Sequence, residues 1–408
     1  MNKLLTNRYY SVIHLLVFVW FVFLPLVFWP RAVIPYEIPR VWFVQISSLV
    51  LFSFVTLTSK KSSFSKNLLP IVLFLGWLTF TSVNGADFYK SLVGNYYRRD
   101  GLLTMYCLLL LGLSLSRFSI STKKLSGGIF TGSILVSLFA TVEFIFGNFL
   151  GYSSGGWGDS SVGATFGQPN FLAGYLAVTM PFGLYLLSQS KKRVVRLIVV
   201  LSLILIGGGV LVTNSLGGLL AVGLGLILWL GKKLPRLGKF VLGMCLVVTT
   251  LLCGFYYYQT LTTDVYPDSR LRLVRQLSTA VSYRPITGWG VANVDYAFES
   301  NSWPINFQHD IYVDKAHSQV LEVLVTSGVI GLVLYLLMIV VVLKKLMQDK
   351  SPWSQTLLIV LLVYLFHSQT NVISVGEEVV FWLVVGTSFG LSQYRHRQHL
   401  DNLHQAHK

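Results

Sequence analysis

Asp264–Gly331 closes with DKAHSQVLEVLVTSGVIG (residues 314–331), and the passage from polar to apolar inside it decides how the chain is read. It is the one long polar segment in an otherwise mostly apolar sequence, and it carries five basic residues. It also delivers His317 directly to an apolar run that begins at Ser318. A run of that length reads as a bilayer-crossing helix, because roughly 20 helical residues span a ~30 Å hydrocarbon core. A charged, wet segment that enters a membrane with a histidine at the seam is a place for chemistry on a lipid-linked substrate.

Composition extends this reading to the whole chain. Hydrophobic residues make up 53% of the 408 residues and charged residues 12%, with a mean hydropathy of +0.64. That is too little charge to cover the surface of a soluble protein of this size. Apolar runs recur near 9–29, 38–58, 68–83, 101–116, 125–147, 168–188, 194–212, 214–231, 239–258, 318–343, 353–369 and 377–393. The expected fold class is an all-α polytopic membrane protein with about 12 transmembrane helices and one long, partly helical extracytoplasmic loop. Its organisation follows: helices one to nine in 1–258, the loop in 259–316, helices ten to twelve in 317–393, and a basic cytoplasmic tail in 394–408. The first run is too long for a cleaved signal and lacks a small-residue cleavage site, so it reads as a retained helix. Cys107, Cys245 and Cys253 sit inside apolar runs without ligand spacing, which favours small buried residues over a disulfide or zinc site.

Charge orients the helices. With the N-terminus in the cytoplasm, 22 of the 32 Lys and Arg residues fall in cytoplasmic segments. Asp349 and Asp401 are the only acidic residues on that side. This is a positive-inside pattern, and it makes the net charge of +16 a topology signal that can also attract anionic lipid headgroups. It is not a nucleic-acid footprint, since no soluble basic domain carries it. The long outer loop, Gln259–Ala316, has 58 residues and should therefore be structured or functional.

Within it, Ser269–Tyr283 reads as an amphipathic helix. Leu271, Val274, Leu277 and Val281 recur along one side, and Arg272 and Arg275 fall on the other. Arg270 projects from the first turn toward the apolar side, where a helix lying on the membrane would hold it near the headgroup plane. Pattern alone leaves open whether these arginines bind a substrate or simply meet lipid phosphates.

Of the eight histidines, four lie in the C-terminal tail, and His14 and His367 lie in or beside spans. A lone histidine of the latter kind is more often hydrogen-bonded to a neighbouring helix than catalytic. His317 precedes what reads as an unbroken apolar helix. The helix dipole and Lys315 disfavour its imidazolium and Asp314 favours it, and a neutral imidazole can act as a general base. A polar cap on a membrane helix is the competing reading. Arg98 and Arg99 precede the fourth span, where an arginine pair can grip a diphosphate or merely snorkel. Glu322, about one turn into the span, should be paired with an arginine or a hydroxyl. Glu143 raises the same question without naming a partner. No metal-ligand spacing and no nucleotide-binding glycine loop is present.

Five stretches in order resemble the O-antigen ligase and polymerase superfamily. They are NYYRRDGLLT (95–104), ATFGQPNFLAGYLAVTMPF (164–182), TNSLGGLLA (213–221), SYRPITGWGVANVDYAF (282–298) and AHSQVLEVLVTSGVIGLVLYLL (316–337). The resemblance implies a polytopic glycosyltransferase of the bacterial inner membrane, with both termini cytoplasmic and its site on the extracytoplasmic face. Such an enzyme moves a glycan from a polyprenyl diphosphate carrier, which is its donor substrate, to an acceptor glycan or lipid. No cofactor and no metal is implied. His317 matches the family's general base, and Arg270 best matches its diphosphate-binding arginine; Arg98, Arg99, Arg275 and Glu322 complete the expected substrate contacts. Two departures stand out: Leu216 replaces the arginine of the family's S-R-G motif, and Thr326 stands where glutamate is frequent. Arg98 or Arg99 is the expected substitute for the missing arginine. A transporter or flippase for the same lipid-linked sugar is the alternative function, although no internal repeat supports it.

Overall fold

The computed structural model describes residues 2–32, 34–58, 68–117, 121–147, 162–231, 269–300 and 313–389, with the side chains of 2–12, 58, 117 and 269–272 excepted. The described residues are helical, with no strand among them. In order the helices are α1 (Asn2–Phe23), α2 (Glu37–Thr58), α3 (Leu69–Val83), α4 (Phe88–Val93), α5 (Leu102–Arg117), α6 (Thr122–Phe146) and α7 (Pro169–Gln189). They continue as α8 (Arg193–Leu211), α9 (Leu216–Gly231), α10 (Ser269–Tyr283), α11 (Val294–Glu299), α12 (Gln319–Gln348), α13 (Pro352–His367) and α14 (375–389).

Helices occupy the expected spans except 239–258, which lies outside the described residues. Five of them, α2, α6, α7, α8 and α12, are long and apolar enough to cross a membrane, and α3, α5, α9 and α13 are shorter apolar helices. The protein is thus a multi-pass membrane protein. The cytoplasmic tail expected at 394–408 also lies outside the described residues.

Burial separates the centre of the bundle from its lipid-facing rim. In α7 83% of the most apolar stretch is buried, against 22% in α8, so α7 is the hub and α8 faces lipid. Around α7 pack α6, α8, α9 and α13. Small residues permit the close approach: a Cβ on Gly218 of α9 would lie 2.4 Å from the Ala173 Cβ of α7. At the N-terminal end of α7, Thr165 is held from α2. The Arg40 guanidinium, wholly buried, donates to the carbonyls of Leu24, Pro25 and Thr165 and to Glu37 at 3.0 Å, and it lies over the Phe166 ring. A buried cation is tolerable only with its donors satisfied, and here four acceptors meet it.

The helix expected to run unbroken from Ser318 is broken at Gly328 (φ 67°, ψ −173°). Residues 285–290 fill the break. Trp289 N–H donates to the Val325 carbonyl at 2.9 Å, Gly290 N–H to Thr326 at 2.8 Å, and Val329 N–H to the Pro285 carbonyl at 2.8 Å. Trp77 of α3 donates its indole N–H to the Ser327 carbonyl at 2.8 Å. Four backbone groups at the kink, the carbonyls of Val325, Thr326 and Ser327 and the Val329 N–H, thereby find partners outside the helix, as a break at membrane depth requires. Gly288 and Gly328 face each other across this joint: a Cβ on Gly328 would lie 2.0 Å from the Ile286 carbonyl oxygen, and one on Gly288 2.5 Å from the Ser327 nitrogen. The glycines of G-W-G and of S-G-V-I-G are one joint seen from its two sides.

Candidate functional site

The segment carrying His317 is strapped between two parts of the bundle. On one side Ser318 is the N-cap of α12, its hydroxyl accepting from Leu321 N–H and donating to Gln369 Oε1 at 3.0 Å, while Gln319 N–H donates to the Ser368 carbonyl at 2.8 Å. On the other side the 95–100 turn supplies charges: Arg98 pairs with Asp314, and Lys315 pairs with Asp100. Lys315 Nζ also meets Glu322 Oε1 at 2.9 Å, and the second Glu322 oxygen accepts from Ala316 N–H at 2.8 Å. Glu322 was expected to find an arginine or a hydroxyl; a lysine seven residues back reaches it first. Within this frame His317 adopts φ 54°, a left-handed conformation that a non-glycine residue holds only when its surroundings dictate it.

The electrostatics follow from the pairing. Burial alone would lower the Lys315 ammonium, but Asp100 and Glu322 outweigh it and hold it above its ordinary value. Burial would raise the Asp100 carboxyl, but Lys315 and Arg98 hold it below its ordinary value. Burial likewise works against Arg98 and is outweighed by Asp314. All three groups are charged at neutral pH.

His317, Arg98, Asp100, Lys315 and Glu322 line one cavity, which encloses about 1140 Å³ of space free of protein atoms, its mouth included. Its remaining wall comes from α2, α3, α5, α12, α13 and α14, with apolar groups such as Val41, Phe74, Leu108, Met338 and Trp382. Two more polar groups reach it from the far helices. Glu378 accepts from the Tyr364 hydroxyl at 2.8 Å, and both residues line the cavity together with Tyr335 and Asn371.

Of the residues singled out from sequence, His317, Arg98 and Glu322 are therefore brought together. Arg99 does not line the cavity; its carbonyl accepts from the Thr104 hydroxyl, and its Nε is buried without a partner among the described residues. Arg275 is exposed on α10 and outside the cavity wall. The Arg270 side chain lies outside the described residues, but its helix packs against α12, the helix that His317 leads into. The buried side of α10 is Leu273, Leu277 and Ala280, packed on Val294, Ala297, Phe298, Ala316 and Val325. It is rotated from the expected 271/274/277/281 stripe, and protein covers it. Leu216, in place of the family arginine, is 70% exposed and points out of the bundle. Thr326 lines the cavity. Glu143 finds its partner in the Ala164 backbone N–H at 2.6 Å. His367 is bonded to a neighbouring helix as expected, its Nδ1 lying 2.9 Å from Glu377 in a wholly buried pair.

Sequence reasoning missed Asp100 as a counter-ion, the pairing of Asp314 with Arg98, and the far wall, Glu378 with Tyr335 and Tyr364. Asp100 had a visible signal: it directly follows the arginine pair in N-Y-Y-R-R-D-G. The tyrosines had none, because a Tyr in an apolar run looks like core.

Residues 201–336 match the family model described as O-antigen ligase. That match takes in α10, the joint at Gly328 and His317. A protein of Rickettsia felis named "Putative polysaccharide ligase" is 25% identical over 223 residues, covering 50% of this chain and 53% of that one. The match thus spans about half the length of the curated relative.

Proposed function

We propose that this chain, a member of the O-antigen ligase superfamily by its residues 201–336, is a membrane glycosyltransferase that moves a glycan from a polyprenyl diphosphate carrier to an acceptor hydroxyl. The observation that carries the reading is the cavity inside a membrane protein that His317, in a left-handed conformation between three ion pairs, lines together with Arg98, Asp100, Lys315 and Glu322. The acceptor oxygen attacks the anomeric carbon, the bond from that carbon to the diphosphate oxygen breaks, and His317 takes the hydroxyl proton. Diphosphate leaves on the carrier lipid with the bonding electron pair. Attack opposite the leaving group inverts the anomeric centre.

The arginines divide by availability. Arg98 is engaged with Asp314, and Glu322 with Lys315 and Ala316, so in this reading both position His317 rather than bind the donor. The diphosphate falls to Arg270 and Arg275 of α10, joined by Arg99, and guanidinium forks suit that task. Their electrostatic work is to stabilise charge as the C–O bond opens. The outer face of the inner membrane, where lipid-linked glycans would meet their acceptors, is the side the charge pattern favours for this end of the bundle.

One observation favours the transporter alternative: α12 is discontinuous, a feature common at transporter binding sites. Here, however, the carbonyls of Val325, Thr326 and Ser327 and the Val329 N–H are bonded to residues 285–290 and to Trp77, and so are not available to a transported ligand. The test is purified protein in detergent, without a second compartment, given a lipid-linked donor and a glycan acceptor. Product formation supports the transferase; donor movement across vesicles without product supports the transporter.

A further inference from the structure

The charge of the cavity runs against the charge of the protein. Its wall contains two cations, Arg98 and Lys315, and four carboxyl groups, Glu37, Asp100, Glu322 and Glu378. Adding the partners just behind the wall, Arg40 for Glu37 and Asp314 for Arg98, carboxyl groups still outnumber cations by two. A chain of net charge +16 has thus enclosed an acidic chamber. A diphosphate would enter it against that excess, with both wall cations already paired.

The far wall offers what a sugar needs. Glu378 lines the same cavity as His317, Lys315 and Asp100. One Glu378 oxygen accepts from Tyr364. The Tyr335 hydroxyl, in a residue 3% exposed, has no partner among the described residues, and Tyr335 lines the cavity together with Glu378. An unpartnered buried hydroxyl carries a desolvation cost that a ligand hydroxyl would remove. Trp382 supplies an aromatic wall beside them, and a flat apolar face next to hydrogen-bonding groups suits the C–H face of a pyranose.

We infer that the chamber beneath His317 is a sugar subsite, built by Glu378, Tyr335, Tyr364 and Trp382, which takes an uncharged or amino-bearing sugar and excludes the diphosphate. The inference rests on the glycosyltransferase reading for its substrate class. It adds that anionic sugars are poor ligands, because the acidic excess repels a second carboxylate, and that the donor's diphosphate stays outside, with α10.

The test uses saturation-transfer NMR on the purified full chain in detergent, with glucosamine, glucose, glucuronate and inorganic diphosphate as probes. Glucosamine and glucose should bind, with glucuronate at least tenfold weaker. Glu378→Gln should weaken glucosamine at least tenfold and glucose less, and Tyr335→Phe, a change that removes only the hydroxyl oxygen, should weaken both sugars threefold or more. Diphosphate should displace neither sugar and should bind Glu378→Gln as it binds the parent. Equal binding of glucuronate, displacement of the sugars by diphosphate, indifference to both substitutions, or no sugar binding at all overturns the subsite. These binding readouts are separate from transfer: loss of transfer in the His317 variants with no sugar bound refutes the subsite alone, and sugar binding in a protein that transfers nothing refutes the enzyme reading alone.

Discussion

His317 holds φ 54°, which costs a non-glycine residue roughly 1–2 kcal/mol. The cost is borne because ion pairs fix the backbone on either side of it: Asp314 and Lys315 before, Glu322 after. Replacing the imidazole by glycine or by alanine separates strain from chemistry. Both changes should slow transfer by about a hundredfold or more, yet His317→Gly should be about 1 kcal/mol more stable than His317→Ala, read by thermal denaturation in detergent, since glycine has no Cβ to strain. Lys315 is the residue on which the frame turns. Lys315→Met leaves Asp100 and Glu322 unpaired in a half-buried site and should cost about 2–3 kcal/mol, discounted from the fully buried case for partial exposure. Its pH signature has a definite sign. Lys315 is raised above its ordinary value of 10.5, so its contribution is complete below pH 10.5 and is lost as pH rises through the folded value. Asp100 is lowered from 3.8, so its contribution is present above pH 3.8 and is lost as pH falls through the folded value. Melting temperature against pH should lose part of its alkaline arm in Lys315→Met and part of its acid arm in Asp100→Asn; unchanged arms would contradict the network.

At the scale of elements, the joint at Gly328 seats the 285–290 segment against α12, the helix that His317 leads into. Gly328→Ala combines a left-handed φ with a Cβ 2.0 Å from a backbone oxygen. It should destabilise by about 2 kcal/mol or more. Trp77→Phe orphans the Ser327 carbonyl and should cost about 1–3 kcal/mol. Proteolysis of the 285–290 segment should speed up in both variants, and equal protection would mean the joint does not hold it. Little of this was legible in sequence. The apolar run from Ser318 carries no helix-breaking proline, and a single glycine in a membrane helix is ordinary. The break is dictated by a segment about forty residues earlier in the chain, which local periodicity cannot register.

At the scale of the whole molecule, hydropathy and charge alternation made the helical membrane class plain, since both depend only on the bilayer as solvent. The cavity was half legible. Arg98, His317 and Glu322 each stood out as polar residues at an apolar boundary, whereas Glu378, Tyr335 and the counter-ions acquired meaning only when distant helices met. Orientation makes a separate prediction. α12 has 30 residues, about 45 Å of helix, so exposed positions near its two ends should lie on opposite sides of the membrane. In a cysteine-free background, Ser282→Cys should react with an impermeant thiol reagent from the outside of intact cells, and Lys350→Cys only after permeabilisation. The reverse labelling would invert the topology.

The central claim, that His317 is the base for glycan transfer in this cavity, meets its most direct test in single-turnover transfer by purified His317→Ala in detergent, beside parent protein of equal melting behaviour. A general base contributes typically 10²–10⁴-fold, so the expected result is a loss of about a hundredfold or more in the chemical step. A folded His317→Ala protein that transfers glycan within about threefold of the parent would contradict the claim.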